Sequence, residues 1–139
     1  MKLLTKDLEA ALEQHPLYSQ DGKGGQALVL AKFFLPGTSW TWYILEGGRI
    51  ELDEDTAALY GATAGPSWEL FGITCNDHTP GGEYGYIMLA ELEALKVDVP
   101  VKDEAGRLLG KIPQHVERDQ LFKPKTIKEV GGLATYDED

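Results

Sequence analysis

Long apolar runs are missing from this chain of 139 residues. Nothing in it approaches the ~20 consecutive apolar residues of a membrane-crossing helix, so nothing is expected to span a bilayer. Cysteine is almost absent. The single Cys75 rules out an intramolecular disulfide and suits a reducing compartment. The opening Met1-Lys2-Leu3-Leu4-Thr5-Lys6-Asp7 has no hydrophobic signal segment, so the expected location is the cytoplasm. Basic residues are few, with 13 Lys and Arg against 23 Asp and Glu for a formal net charge of −10. Binding to a phosphate backbone needs Lys and Arg to release counterions, so direct nucleic-acid binding is not expected. Gly-x-Ser-x-Gly, His-Glu-x-x-His, a Walker-type loop and a dinucleotide fingerprint are all missing, which leaves the common enzyme classes without a motif.

The acidity is segregated. Residues 46–104 hold thirteen acids against three bases, whereas the stretches before and after are each balanced. Such a middle segment suits a solvated acidic face, a basic partner, a cation, or mimicry of a nucleic-acid backbone.

The length fits one domain, residues 1–139, with an acidic tail at 135–139 expected to be disordered. Leu3, Leu4, Leu8, Ala11 and Leu12 recur at helical spacing behind a Thr5 N-cap, and His15-Pro16 ends that helix. Asp21-Gly22-Lys23-Gly24-Gly25 reads as a flexible loop. Residues 27–35 and 40–46 read as a hairpin around Pro36–Ser39, closed by Gly47-Gly48. Residues 49–66 show no clear period and read as an exposed excursion, with a turn of helix near Thr56–Tyr60. Strands follow at 68–75 and 84–88, with a loop at 76–82 between them. Leu89, Leu92 and Leu95 give a two-turn helix one apolar face. A minor hairpin spans 97–112, an extended closing segment runs through Val116–Pro124, and a short helix covers Lys125–Val130. The expected fold is α+β: a curved antiparallel sheet of four to five strands, with a partly open barrel as the alternative, and short flanking helices.

Lys32-Phe33-Phe34, Thr41-Trp42-Tyr43 with Glu46, Leu70-Phe71-Gly72, Glu83-Tyr84-Gly85-Tyr86, Leu89-Ala90-Glu91-Leu92-Glu93, Glu117-Arg118-Asp119 and Phe122-Lys123-Pro124-Lys125 follow one another along nearly the whole chain. In that order they resemble the DUF2958 family of bacterial proteins. The departures are a longer acidic excursion after Glu46 and extra residues between Lys96 and Val116, both where loops tolerate insertion. The resemblance implies a small single-domain protein of plasmids, phages and other mobile elements, and it implies no reaction.

Four constellations could carry chemistry. Glu46, Glu83, Glu91, Glu117 and Asp119 would offer hard oxygen ligands to Mg²⁺, Mn²⁺ or Ca²⁺, or an acid–base pair, if they converged. Against that, Arg118 could pair with one of them and the others could face solvent. Cys75 and His78 could supply two zinc ligands or a thiolate and base, but no second pair completes a zinc site. Glu51–Asp55 superficially suggests a calcium loop, yet counting from Asp53 its sixth and twelfth positions are Ala58 and Ala64. The aromatic set Trp40, Trp42, Tyr43, Trp68, Phe71, Tyr84 and Tyr86 must divide between core and an exposed strand face.

The favoured expectation is a non-enzymatic accessory protein without a cofactor that binds an unidentified protein through Trp42, Glu51, Asp53 and Asp55. On this reading neutralising the three acids abolishes a salt-sensitive interaction. A divalent-metal protein or metal-dependent enzyme using the carboxylate set is one alternative, and a DNA mimic that inhibits a nucleic-acid-binding enzyme is another. Oligomeric state stays open, because an exposed hairpin edge could pair with a second copy.

Overall fold

The computed structural model describes residues 2–135, so most of the expected acidic tail lies outside the described residues. Helix α1 spans Lys6–Gln14. Its N-cap is Thr5, whose hydroxyl accepts the Leu8 N–H at 3.1 Å, and its buried face is Leu8 and Leu12. After a 3₁₀ turn at Gly24–Gln26 come strands β1 (Leu28–Val29), β2 (Ala31–Phe34) and β3 (Thr41–Leu52). Helix α2 (Glu54–Tyr60) precedes β4 (Gly65–Asn76) and β5 (Thr79–Met88), and β5 runs directly into α3 (Leu89–Ala94). The chain ends through β6 (Lys96–Lys102), β7 (Leu108–His115), β8 (Glu117–Arg118), β9 (Lys125–Thr126) and α4 (Ile127–Val130).

One antiparallel sheet of order β5-β4-β3-β2-β8 forms the body, and β1–β9 and β6–β7 are separate two-stranded ribbons. The α+β expectation therefore holds, but the sheet stays open, because β5 and β8 are edges that never meet. Both of its faces are covered. Phe33, Trp42, Ile44, Leu70 and Ile87 pack with Leu8 and Leu12 of α1 and Leu92 of α3. Val29, Leu45, Ile73, Cys75 and Ile127 form the core on the other face. Ile44 and Leu45 serve opposite cores by ordinary strand alternation, and the register shift between Ile44 and Glu46 leaves Leu45 as an extra residue.

Several expected boundaries move; the loop expected at 76–82 shrinks to a two-residue turn, since β4 runs to Asn76 and β5 starts at Thr79. Gly47 and Gly48 do not end β3; the strand continues through them. A Cβ at Gly47 would lie 2.9 Å from Leu12 Cδ2, and one at Gly48 would lie 3.3 Å from Leu17 Cδ1. Both glycines make room for the N-terminal segment lying across the sheet. The excursion at 49–66 is the end of β3, a full helix α2 and the start of β4, with Ala57 packed against Leu52 and Ala90. The final helix begins only after Thr126, which forms a reciprocal capping box with Glu129 while Lys125 stays in β9.

The segments on either side of the Asp21–Gly25 loop are tied to the sheet. Glu46 is 3% exposed, and its two carboxylate oxygens accept the N–H groups of Tyr18 and Gln20, each at 2.7 Å. Gln20, itself buried, donates from Nε2 to the carbonyls of Leu28 and Leu45, both at 2.8 Å, and accepts the Leu28 N–H at 2.6 Å. Two buried polar side chains thus replace the ladder bonds this irregular segment lacks.

Candidate protein-docking groove

A cavity of about 690 Å³ opens beside the β5 edge. Trp42 and Thr74 are direct cross-strand partners on one sheet face and, with Ile87, form part of its wall. Leu92 of α3, then Leu95 and Val97 where α3 gives way to β6, form another part. Trp40 stands at the rim, 41% exposed and stacked on Trp42 with ring centroids 5.9 Å apart at 23°. Tyr60 and Tyr86 add aromatic surface.

The charged side chains on this apolar lining are Glu69 and Glu91; no Lys or Arg contributes. Neither carboxylate forms an ion pair with a described residue. Glu91 comes to the hollow from α3, while Glu69 lies on the sheet face opposite Trp42 and Ile87, near Tyr86, so negative charge reaches the hollow from both sides of the β5 edge.

Tyr86 reports on this environment. Its hydroxyl donates to Tyr18 Oη at 3.1 Å, and this bond, reinforced by the nearby Glu69 charge, pushes its pKa up to about 12. A raised folded-state pKa means the pair supports the fold below the ordinary phenol value of 10.0, and that support is lost as pH rises towards about 12. Replacing Tyr18 with Phe is expected to return Tyr86 towards 10, measurable by absorbance titration of the phenolate. An unmoved titration would show that the hydrogen bond does not set it.

The sequence-derived residues divide among different places. Trp42 is only 6% exposed, so it is a core residue whose edge reaches the groove rather than a solvent-facing anchor. Glu51 lies near the exposed end of β3. Asp53 is the N-cap of α2: its carboxylate accepts the Thr56 N–H at 2.7 Å, which holds its pKa below the usual carboxylate range. Asp55 sits in the first turn of α2, at the positive end of the helix.

The five proposed metal ligands do not converge. Glu46 is consumed by two backbone amides, Glu83 lies exposed on β5, and Glu91 is at the groove. Glu117 is on β8, the opposite sheet edge from β5, about 19 Å away at the usual strand spacing. Asp119 follows it, caps the Leu121 N–H at 3.0 Å and faces Lys32 at 3.8 Å. Among the described residues no group of three or more His, Cys, Asp or Glu is placed to hold a metal ion. The Cys75 thiol is buried, and burial pushes its pKa up, away from the thiolate that either zinc or nucleophilic chemistry would need. His78 sits in the β4–β5 turn, its N–H bonded to Asn76 Oδ1.

Sequence reasoning placed Trp40 and Tyr86 in the aromatic set and Leu92 and Leu95 in one helical stripe, but did not assemble them. Glu69 carried no signal, being a single carboxylate between the apolar residues Trp68 and Leu70. No protein family, curated protein or solved structure matches the chain.

Proposed function

We propose that the chain is a protein-binding module whose groove takes an extended partner segment carrying apolar side chains interleaved with Lys or Arg. The observation that carries this reading is the lining itself: Trp40, Tyr86, Leu95 and Val97 supply accessible apolar contact over the buried Ile87 and Leu92, and Glu69 and Glu91 are its charged side chains. A basic segment would gain from the unpaired carboxylates, whereas an acidic one would meet only repulsion. Beside the groove, β5 is an edge strand of the main sheet, so main-chain pairing can add to side-chain recognition. The acidic stretch Glu51, Asp53 and Asp55 contributes a longer-range field that speeds encounter with the same partner. Membership of DUF2958 belongs to this proposal and rests on the sequence blocks alone.

The test is a fluorescence titration with synthetic peptides, using the exposed Trp40 as reporter. A peptide of alternating valine and lysine is expected to bind in a salt-sensitive manner, and its glutamate counterpart is expected not to. Glu69→Lys with Glu91→Lys should weaken binding at least about tenfold, while neutralising Glu51 and Asp55 should cost less, as remote charges act mainly on the association rate. Equal binding of both peptides, or no loss in the double variant, would overturn the proposal.

A further inference from the structure

The β6–β7 hairpin is an arm. No other element packs extensively on either of its strands, and its attachments include Val97 at the edge of the main core and Val99 against Gly37. An isolated two-stranded ribbon is marginal in water, so apolar side chains left open on one call for an explanation. Leu108, Leu109 and Ile112 on β7 are 58%, 68% and 49% exposed. Ile112 lies opposite Val99 on one face of the ribbon, Leu108 lies opposite Lys102 on the face that Lys111 shares, and Leu109 is the extra residue where the register shifts.

The arm also differs from the body in charge. Residues 96–115 hold four bases and three acids, while the remainder of the chain holds nine bases and twenty acids. Lys102 and Lys111 form no ion pair with a described residue. The tip is preformed. Asp103 Oδ1 accepts the N–H groups of Ala105 and Arg107, both at 2.9 Å, and Asp103 Oδ2 holds Arg107 Nε at 3.0 Å. Little ordering cost is therefore left for binding.

We infer that Leu108 and Leu109, flanked by Lys102 and Lys111, dock into the groove of a second copy of this chain. The inference rests on the groove reading above, because the arm carries the chemistry that the groove is argued to take. Docking within one chain is not open to it. The arm leaves the groove rim at Val97, and its leucines sit near the far end, about 17 Å along a stiff ribbon. Between two copies the contact can be made twice about a two-fold axis, arm to groove and groove to arm.

Sedimentation of the full chain over a concentration series, from micromolar to submillimolar, tests this. The wild type is expected to dimerise. Leu108→Asp with Leu109→Asp should be monomeric with unchanged thermal unfolding, since both side chains are exposed. Glu69→Lys with Glu91→Lys should be monomeric as well. Mixing the two variants should restore a heterodimer through the one intact arm and one intact groove. A wild type that stays monomeric throughout, or an arm variant that dimerises as well as the wild type, overturns the inference. The valine–lysine peptide separates the two readings. It should bind the arm variant more tightly than the wild type, whose grooves are filled. Peptide binding with a monomeric wild type would sink the dimer and leave the groove reading standing, whereas an arm-dependent dimer with no peptide binding to the arm variant would sink the groove reading and the arm-to-groove contact together.

Discussion

Replacing Glu46 with Ala is expected to remove a large share of the stability of this protein. The N–H groups of Tyr18 and Gln20 would lose their acceptors, the Gln20 one in a place water barely reaches, since Glu46 is 3% exposed and Gln20 is 4% exposed, and the Tyr18 one in a half-buried place. Each orphaned donor costs about 1–3 kcal/mol, and the lost bonds were charge-assisted, so the expected loss is about 3–5 kcal/mol. For a domain of this size that lowers the unfolding midpoint by roughly 10–20 °C. Glu46→Gln should recover less than half of this, because the amide offers one acceptor and points its NH₂ at the second N–H. Calorimetry on the three proteins decides the matter. A midpoint shift below about 3 °C for Ala would mean that the segment is not held by this carboxylate.

The second large effect is expected at Gly82. Its φ of +87° is one that side chains of L-residues rarely adopt, and a Cβ there would overlap Ile73 Cγ2 and lie 2.8 Å from Cys75 Sγ. Left-handed backbone costs roughly 1–2 kcal/mol and forced overpacking a further 1–3, so Gly82→Ala should cost about 3 kcal/mol. Gly61 provides the control. Its φ is +68°, but a Cβ there meets nothing within 4 Å, so only the backbone contribution applies. Gly61→Ala should cost about 1 kcal/mol. If the two variants unfolded at the same temperature, crowding against Ile73 and Cys75 would have no part in the requirement.

The elements legible in the sequence were those whose signals are local. Thr41–Leu45 and Trp68–Cys75 are rich in aromatic and β-branched residues, and both are strands; Leu89 and Leu92 lie three apart, and both are buried in α3. The misread elements depended on distant partners. Gly47-Gly48 resembles a strand terminus unless Leu12 and Leu17 are known to lie over it. Nothing near Glu46 indicates that it will bind amides 26 and 28 residues away, so its burial could not be anticipated from spacing. Asp53 was the exception, because its cap role was within local reach: an Asp preceding Glu54-Asp55-Thr56 is an ordinary helix start.

The candidate site was legible in parts. Trp40 and Trp42 alternate on a strand, and Leu92 and Leu95 share a helical stripe with Val97 following. What the sequence could not supply was the order of β5 beside β4 and the departure of the β6–β7 ribbon, which together put those residues around one hollow. Of the acids expected to form a binding surface, Asp53 and Asp55 lie at the start of α2, where Asp53 also caps the helix, and Glu51 lies on β3.

The edge strand beside the groove has a consequence for behaviour in concentrated solution. A ten-residue open edge invites stacking into fibres, yet the first half of β5 is poorly suited to it. Pro80 has no N–H to give, the Gly81 carbonyl accepts the Ala134 N–H at 2.8 Å, and Glu83 keeps an exposed charge there. Only the stretch from Gly85 to Met88 is left for an added strand, and there the carboxylates of Glu69 and Glu91 repel any further copy of this acidic body. The protein can therefore keep a pairing edge available to one kind of strand without becoming prone to aggregation.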